Sequence, residues 1–473
     1  MLFNSFDFLI FICIVYCIYW TVQKYNVKFQ NIIVLIASYI FYGWWDWRFI
    51  SLIFFSTVVD YYLGLSIKRN AQFSKTYLGL SIVINLGLLG VFKYYNFFVS
   101  SWVSAWEQLD VSFNETSLNL ILPVGISFYT FQTLSYTIDV YRDKLEPTKD
   151  FVSFASFVSF FPQLVAGPIE RATNLLPQFF EKRRFCLNES VKGVSQILWG
   201  LLKKVVIADN CAPFVNEIFS TYHTQSSVVL IFGAVLFAFQ IYGDFSGYSD
   251  IAIGLSRLLG FKLMTNFRYP YFSRDIAEFW RRWHISLSTW FRDYLYIPLG
   301  GSRGSSFTRI RNVIIIFLVS GMWHGANWTF LFWGFLNALF ILPLIIGKSN
   351  RLNIGIVAQN TFLPNLKEFI QILLTFLLTC LAWVFFRVDS IHGGFDYIHR
   401  IFCFLEGNSN VININIIALV LAFVLIEWFY RKTEIPLFSN NMKISFINSS
   451  VVIVFIILFG NLNGGSSFIY FQF

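Results

Sequence analysis

Phe279 to Gly325 reads FWRRWHISLSTWFRDYLYIPLGGSRGSSFTRIRNVIIIFLVSGMWHG. Two of the chain's five histidines fall in it, His284 and His324. Each follows a tryptophan, and each lies beside a segment apolar enough to enter a bilayer. An ionisable side chain at membrane depth is costly, so its default reading is a functional one. The structural alternative is a buried histidine bonded to a neighbouring helix. A tryptophan-flanked pair, one beside Arg281 and Arg282 and one before Gly325, argues against that alternative.

Working outward, the composition sets the solvent. The chain has 473 residues, 56% hydrophobic and only 13% charged. A soluble domain would carry about 25% charged residues. The expectation is an all-α polytopic membrane protein, folded as a single integral-membrane domain over residues 1–473. The net charge of +9 resides in short basic loops between apolar runs, as cytoplasmic loops do, and calls for no nucleic acid. Cys13, Cys17, Cys186, Cys211, Cys380 and Cys403 are scattered, without a disulfide or zinc spacing. The first apolar run lacks a basic leader and a clear cleavage site, so a retained helix is expected rather than a signal peptide.

Spans of about 20 apolar residues are expected at Phe3–Thr21, Asn31–Trp47, Phe49–Ile67, Tyr77–Tyr95, Ile121–Tyr141, Val228–Tyr242, Val313–Ser320 continuing into Trp328–Ile346, Phe369–Phe386, Ile412–Tyr430 and Ile447–Phe459. Weaker segments are Phe151–Val165, Val191–Ile207 and Tyr248–Leu259. Lys24, Lys28, Lys68, Arg69, Lys75, Arg142, Lys144 and Lys149 mark cytoplasmic loops, and acidic Ser104–Asn119 suits the outer side. Phe151–Val165 has basic flanks at both ends and contains Pro162, so it reads as a re-entrant hairpin. Asp275 to Arg311 is too polar to span and reads as amphipathic or re-entrant helices on the cytoplasmic side. Arg431 and Lys432 leave the last span running outward, with the aromatic tail Ser467–Phe473 beyond it.

Twelve residues separate Asn312 from His324, roughly 18 Å of helix. That puts the imidazole near the middle of a core about 30 Å thick, where its pKa suits proton abstraction from an alcohol or thiol. Gly325 leaves room for a ligand or a kink. On a helix, Trp280, Arg281 and His284 would share one side. Arg281 and Arg282 suit phosphate, or form a snorkelling basic girdle. Asp244, in Gly243–Asp250, either orients an imidazole or binds a polar substrate group, or it marks a helix break and caps the next helix. There is no Walker loop and no His-Glu-x-x-His, so ATP-driven transport and a zincin are disfavoured, and no metal ligands are assigned.

Leu122–Gln132, Phe161–Arg171, Gly243–Gly254, Phe279–Gly301, Ser320–Trp328 and the terminal Phe468–Phe473 resemble the membrane-bound O-acyltransferase family. The likeness is to its bacterial alginate and peptidoglycan O-acetylases, with the D-alanyl transferase of teichoic acids more distant. It is densest between residues 120 and 335. The resemblance implies a ring of about 10–13 tilted and re-entrant helices around a transmembrane tunnel, in a bacterial inner membrane. It makes His324 the catalytic histidine and His284 the second. It implies acetyl-CoA as the cytoplasmic donor, with no permanently bound cofactor. A periplasmic SGNH-type, esterase-like partner and a cell-wall or exported polysaccharide would complete the reaction.

The expected activity is therefore O-acetylation of a periplasmic polysaccharide, with peptidoglycan favoured slightly over an alginate-type exopolysaccharide. Trp280, Trp283, Trp323, Asp244 and Ser286, with Arg281 and Arg282, are candidate substrate or CoA contacts. Tyr470, within the tail 461–473, is a candidate acyl relay. Rival readings are D-alanyl transfer, a polysaccharide or lipid transporter, and a cell-wall scaffold.

Overall fold

A computed structural model describes residues 1–111, 117–118, 120–165, 167–461 and 468–469. Among these residues the regular structure is helical, apart from one isolated bridge between Gln225 and Asn408. Among the described residues, eight helices are long and apolar enough to cross a membrane, in keeping with the composition. Polar caps fix where several of them start. Ser5 accepts from the Phe8 amide, and Asn365 and Glu368 form a reciprocal capping box at the start of Leu366–Arg387.

The chain divides into two compact units. One comprises Met1–Val194 with Ala252–Met264, the other Ser195–Ile251 with Thr265–Phe473. In the first, helices Phe49–Arg69, Ser74–Leu89 and Ile126–Tyr141 enclose a polar cluster. The buried Asp60 carboxylate accepts from Ser81 Oγ at 2.6 Å and Asn85 Nδ2 at 2.8 Å. Ile126–Tyr141 is shorter at its start than the sequence suggested, because Gly125 turns left-handed (φ +75°) against Leu164 O. Phe151–Val165 is broken, as its proline and flanks implied. Helix Phe151–Val158 stops at Ser159, and a single turn, Phe161–Leu164, follows. The opened backbone stays buried: Gln132 Nε2 donates to Phe157 O at 2.6 Å and Phe161 N to Ser38 Oγ at 3.1 Å.

Two expectations about the helices are corrected. Val228–Tyr242 and Tyr248–Leu259 are one helix, Ser227–Leu258. Gly243–Asp250 neither breaks it nor caps anything. Gly243 and Gly247 instead let it cross a neighbouring segment closely. A Cβ on either would stand 2.8 Å from Lys203 O or Gly200 O, a small-xxx-small contact. This helix is 78% buried along its apolar window, whereas Met442–Phe459 is 11% buried and so offers its sides to lipid.

The second correction concerns Val313 to Ile346. It forms two helices, Ser306–His324 and Trp328–Ile346, rather than one interrupted span. They run back antiparallel. Gly321 faces Phe330 O and Gly334 faces Phe317 O, where an added Cβ would come to 2.2 and 2.3 Å. Gly321→Ala and Gly334→Ala therefore each lower stability by about 1–3 kcal/mol, read as a lower thermal midpoint in detergent. Gly79→Ala, with nothing within 4 Å of the new methyl, leaves the midpoint unchanged or slightly raised.

Candidate active site

His324 is the last residue of helix Ser306–His324. The helix stops there because Gly325 is extended and Asn327 caps the next helix, accepting from Thr329 N at 3.0 Å. The space beside Gly325 is not open. The Phe330 ring fills it, 2.2 Å from where a Cβ would stand. The His324 imidazole is buried among Trp323, Trp333 and Phe386, with ring centroids 5.0, 5.1 and 5.4 Å away.

His284 lies where the sequence suggested continuous helix. Helix Ile276–Arg282 ends before it, Trp283 is extended, and His284 itself is left-handed at φ +44°, ψ +53°. Trp280, Arg281 and His284 therefore do not share a helix face. A side chain other than glycine in this region is strained and needs surroundings that enforce it. Here the enforcement comes from Asn266. Its carbonyl oxygen accepts from Ile285 N at 2.9 Å, and its side-chain Oδ1 meets Ser286 N, Ser286 Oγ and His284 Nδ1 at 3.2, 2.8 and 3.2 Å.

This arrangement fixes the tautomer. The Ser286 amide can only donate, so the Asn266 atom it meets is an oxygen. That oxygen accepts, so His284 Nδ1 carries the hydrogen and Nε2 carries the lone pair. Nε2 is buried and makes no hydrogen bond to the described residues. Burial lowers the imidazole pKa from its ordinary 6.5 to about 3, so the ring is neutral.

The two imidazole centroids are 6.4 Å apart. An atom hydrogen-bonded to a ring nitrogen lies roughly 4 Å from that ring's centroid. One reacting group can therefore be addressed by both rings. Trp323 stands 5.8 Å from His284, and Trp280 packs on Trp333 and Phe317 in the wall beyond His324. Trp283 is sealed between Phe279 and Phe267.

A cavity of about 220 Å³ lies close by. Lys203, Arg268, Arg282, Arg431 and Lys432 line it, with Asp250, Glu427 and Glu434 as counter-charges. Tyr242 and Phe267 also line it, and Phe267 sits 5.1 Å from Trp283 and 6.4 Å from His284. The cationic cavity is thus one aromatic ring from the imidazole. Arg282 reaches it while paired to Glu278 at 2.7 Å. Arg281 does not line it, and its guanidinium is tied to Asn350 O and Asn353 O. Asp244 does not line it either. Its carboxylate is paired with Lys204 at 2.8 Å and accepts from Ile469 N at 2.6 Å. Tyr470 lies outside the described residues.

Asn266, Lys203, Lys204 and Glu427 did not stand out in the sequence. A lysine pair and a lone glutamate inside apolar runs are themselves a signal for functional burial. Asn266, in an irregular stretch, carries no such signal.

The pattern of the MBOAT, membrane-bound O-acyltransferase family, matches residues 40–388. The chain is similar to the "Probable alginate O-acetylase AlgI" of Azotobacter vinelandii, 40% identical over 84% of this chain and 79% of that protein. It is similar to the protein of the same name from Pseudomonas aeruginosa, 39% identical over 85% and 76%. It is also similar to the "Peptidoglycan O-acetyltransferase" of Helicobacter pylori, 36% identical over 80% and 75%. With its spanning helices and its paired buried imidazoles, the chain is a multi-pass membrane acyltransferase and belongs to the membrane-bound O-acyltransferase family.

Proposed function

We propose that the chain takes an acetyl group from acetyl-CoA on the cytoplasmic side of a bacterial inner membrane and passes it outward to O-acetylate a polysaccharide. The observation that carries this reading is the juxtaposition of two buried imidazoles, 6.4 Å apart, with a cation-lined cavity one ring away. The relatives' names divide between alginate and peptidoglycan; peptidoglycan remains the favoured acceptor, reached through a periplasmic esterase-like partner.

In this reading the donor's phosphates meet Arg268, Arg282 and Lys432. His324 takes the proton from an acceptor hydroxyl, and the freed oxygen attacks the thioester carbon. The carbon–sulfur bond breaks, the thiolate takes the proton from His324, and free CoA and an acetyl ester result. His284 Nε2, as an acceptor with a fixed tautomer, orients the attacking hydroxyl. The tryptophan walls keep out water that would hydrolyse the thioester. Tyr470 is the proposed first acceptor, handing the acetyl to the partner's serine.

Three outcomes test this. In proteoliposomes with acetyl-CoA and an acceptor, His324→Gln lowers CoA release by about 10²–10⁴-fold while the protein stays folded; unchanged release ends the general-base role, and movement of an intact glycan without CoA release supports a transporter instead. Peptide mass spectrometry after mixing with acetyl-CoA finds an added acetyl on Tyr470, and a tail without acetyl ends the relay role.

The third outcome concerns pH. His284 has its folded pKa lowered to about 3, so on acidification the unfolded chain takes up the proton first. The stability this neutral ring contributes is complete above the ordinary value of 6.5 and falls as pH drops through it toward about 3. Thermal midpoints measured from about pH 7 down to pH 4 fall less steeply in His284→Gln than in the parent protein.

A further inference from the structure

We infer that Asp244, held in place by Lys204, is a docking acceptor for the backbone of the C-terminal segment, and that these two are positioning residues for that segment. Lys204 lies in the π-turn Leu202–Ala208 and is fully buried. Its ammonium bridges Asp244 Oδ1 and Asp209 Oδ1, each at 2.8 Å. Two buried carboxylates thus share this one ammonium. Such a site favours a further hydrogen-bond donor.

The donor present is a peptide N–H. Asp244 Oδ2 accepts from Ile469 N at 2.6 Å. The adjacent Phe468 is completely buried and packs on Tyr248 at 4.6 Å and Phe245 at 6.0 Å. Asp244, Phe245 and Tyr248 all belong to helix Ser227–Leu258. One stretch of helix therefore supplies a carboxylate for the peptide backbone and two rings for a side chain. Phe245 also lies 4.6 Å from the His284 ring. The docked segment is one aromatic ring from that imidazole.

The segment starts nearby. Helix Met442–Phe459 ends at Gly460, and Asn461 N donates to Val205 O at 2.9 Å, beside Lys204. Both described ends of the stretch between Asn461 and Phe468 are thus tied to the same π-turn and its ion pair. A sealed lysine and two carboxylates would be a poor source of stability alone, since hydrophobic replacements of buried ion pairs are often neutral or better. Holding a peptide at a set position gives them a use. Tyr470 follows Ile469 directly in the sequence; any consequence of docking for acetyl transfer rests on the relay reading above.

Hydrogen exchange with mass spectrometry on the full chain in detergent tests the docking without any substrate. In Asp244→Ala the peptide containing Ile469 exchanges at least about 10-fold faster, while peptides from Trp328–Ile346 keep their protection. Asp244→Asn, which keeps a carbonyl acceptor but loses the ion pair, is intermediate. Phe468→Ala leaves the charged cluster intact and frees the same peptide, and it serves where the Asp244 variants fail to fold. Unchanged exchange at Ile469 in the folded variants overturns the docking role. Freed exchange with undiminished acetyl transfer leaves docking standing and removes the relay reading. In Asp244→Ala, acetyl transfer falls through kcat with the KM for acetyl-CoA unchanged; a fall with exchange at Ile469 unaltered overturns the inference.

Discussion

A single amide oxygen sets the geometry of the candidate site. Asn266 Oδ1 gathers Ser286 N, Ser286 Oγ and His284 Nδ1. Holding a histidine in the left-handed region costs about 1–3 kcal/mol. Hydrogen bonds of about 1 kcal/mol each offset it, and Arg268 N to Arg282 O and Ile285 N to Asn266 O tie the same turn from both sides. What results is a buried ring whose Nδ1 donates to Asn266 and whose Nε2 has no hydrogen-bond partner among the described residues. A continuous helix would have pointed the ring elsewhere and left its tautomer undetermined.

The aromatic content of the chain serves the same end. Trp283 and Trp383 stand 5.1 Å apart, Trp383 and Trp333 stack at 5.5 Å, and Trp333 meets His324 edge-on at 5.1 Å. This chain of rings joins the turn carrying His284 to the helix end carrying His324. Each such contact adds about 0.5–1.5 kcal/mol beyond its burial, and rigid planar rings fix a separation better than aliphatic side chains with more rotamers. They also leave little polar surface to hold water between the two imidazoles.

Much of this was legible in the sequence, and the limits are physical. The apolar runs announced the spanning helices, because hydrocarbon demands length and hydrophobicity, both of which are written locally. The two tryptophan–histidine pairs pointed to two rings that the fold does bring together, 6.4 Å apart. The turn at His284 was not legible. Phe279–His284 has ordinary helical propensity, and the partner that breaks the helix lies 18 residues away in an irregular stretch. Gly243 and Gly247 were misread for a related reason. Glycines inside an apolar run signal either a break or a close crossing, and only the neighbouring backbone at Gly200 and Lys203 decides which.

The consecutive lysines show how one local distortion can serve two tasks. In a π-turn the backbone bonds reach one residue further than in an α-helix, and such turns recur at functional sites. Lys203 pairs with Asp250 and lines the cationic cavity. Lys204, the next residue, points to Asp209 and Asp244 and is closed off from solvent. Neighbouring residues on a helix diverge by about 100°, so two adjacent cations can serve different faces of one segment. The charge that faces the cavity can meet an anionic ligand arriving from water, while the sealed one orders acceptors for a peptide. The same five-residue stretch from Gly243 to Gly247 accommodates this turn through its missing side chains and presents Asp244 to it. Close packing and charge placement are therefore one requirement here: a larger residue at either glycine would push the π-turn away and separate Lys204 from the carboxylate it neutralises.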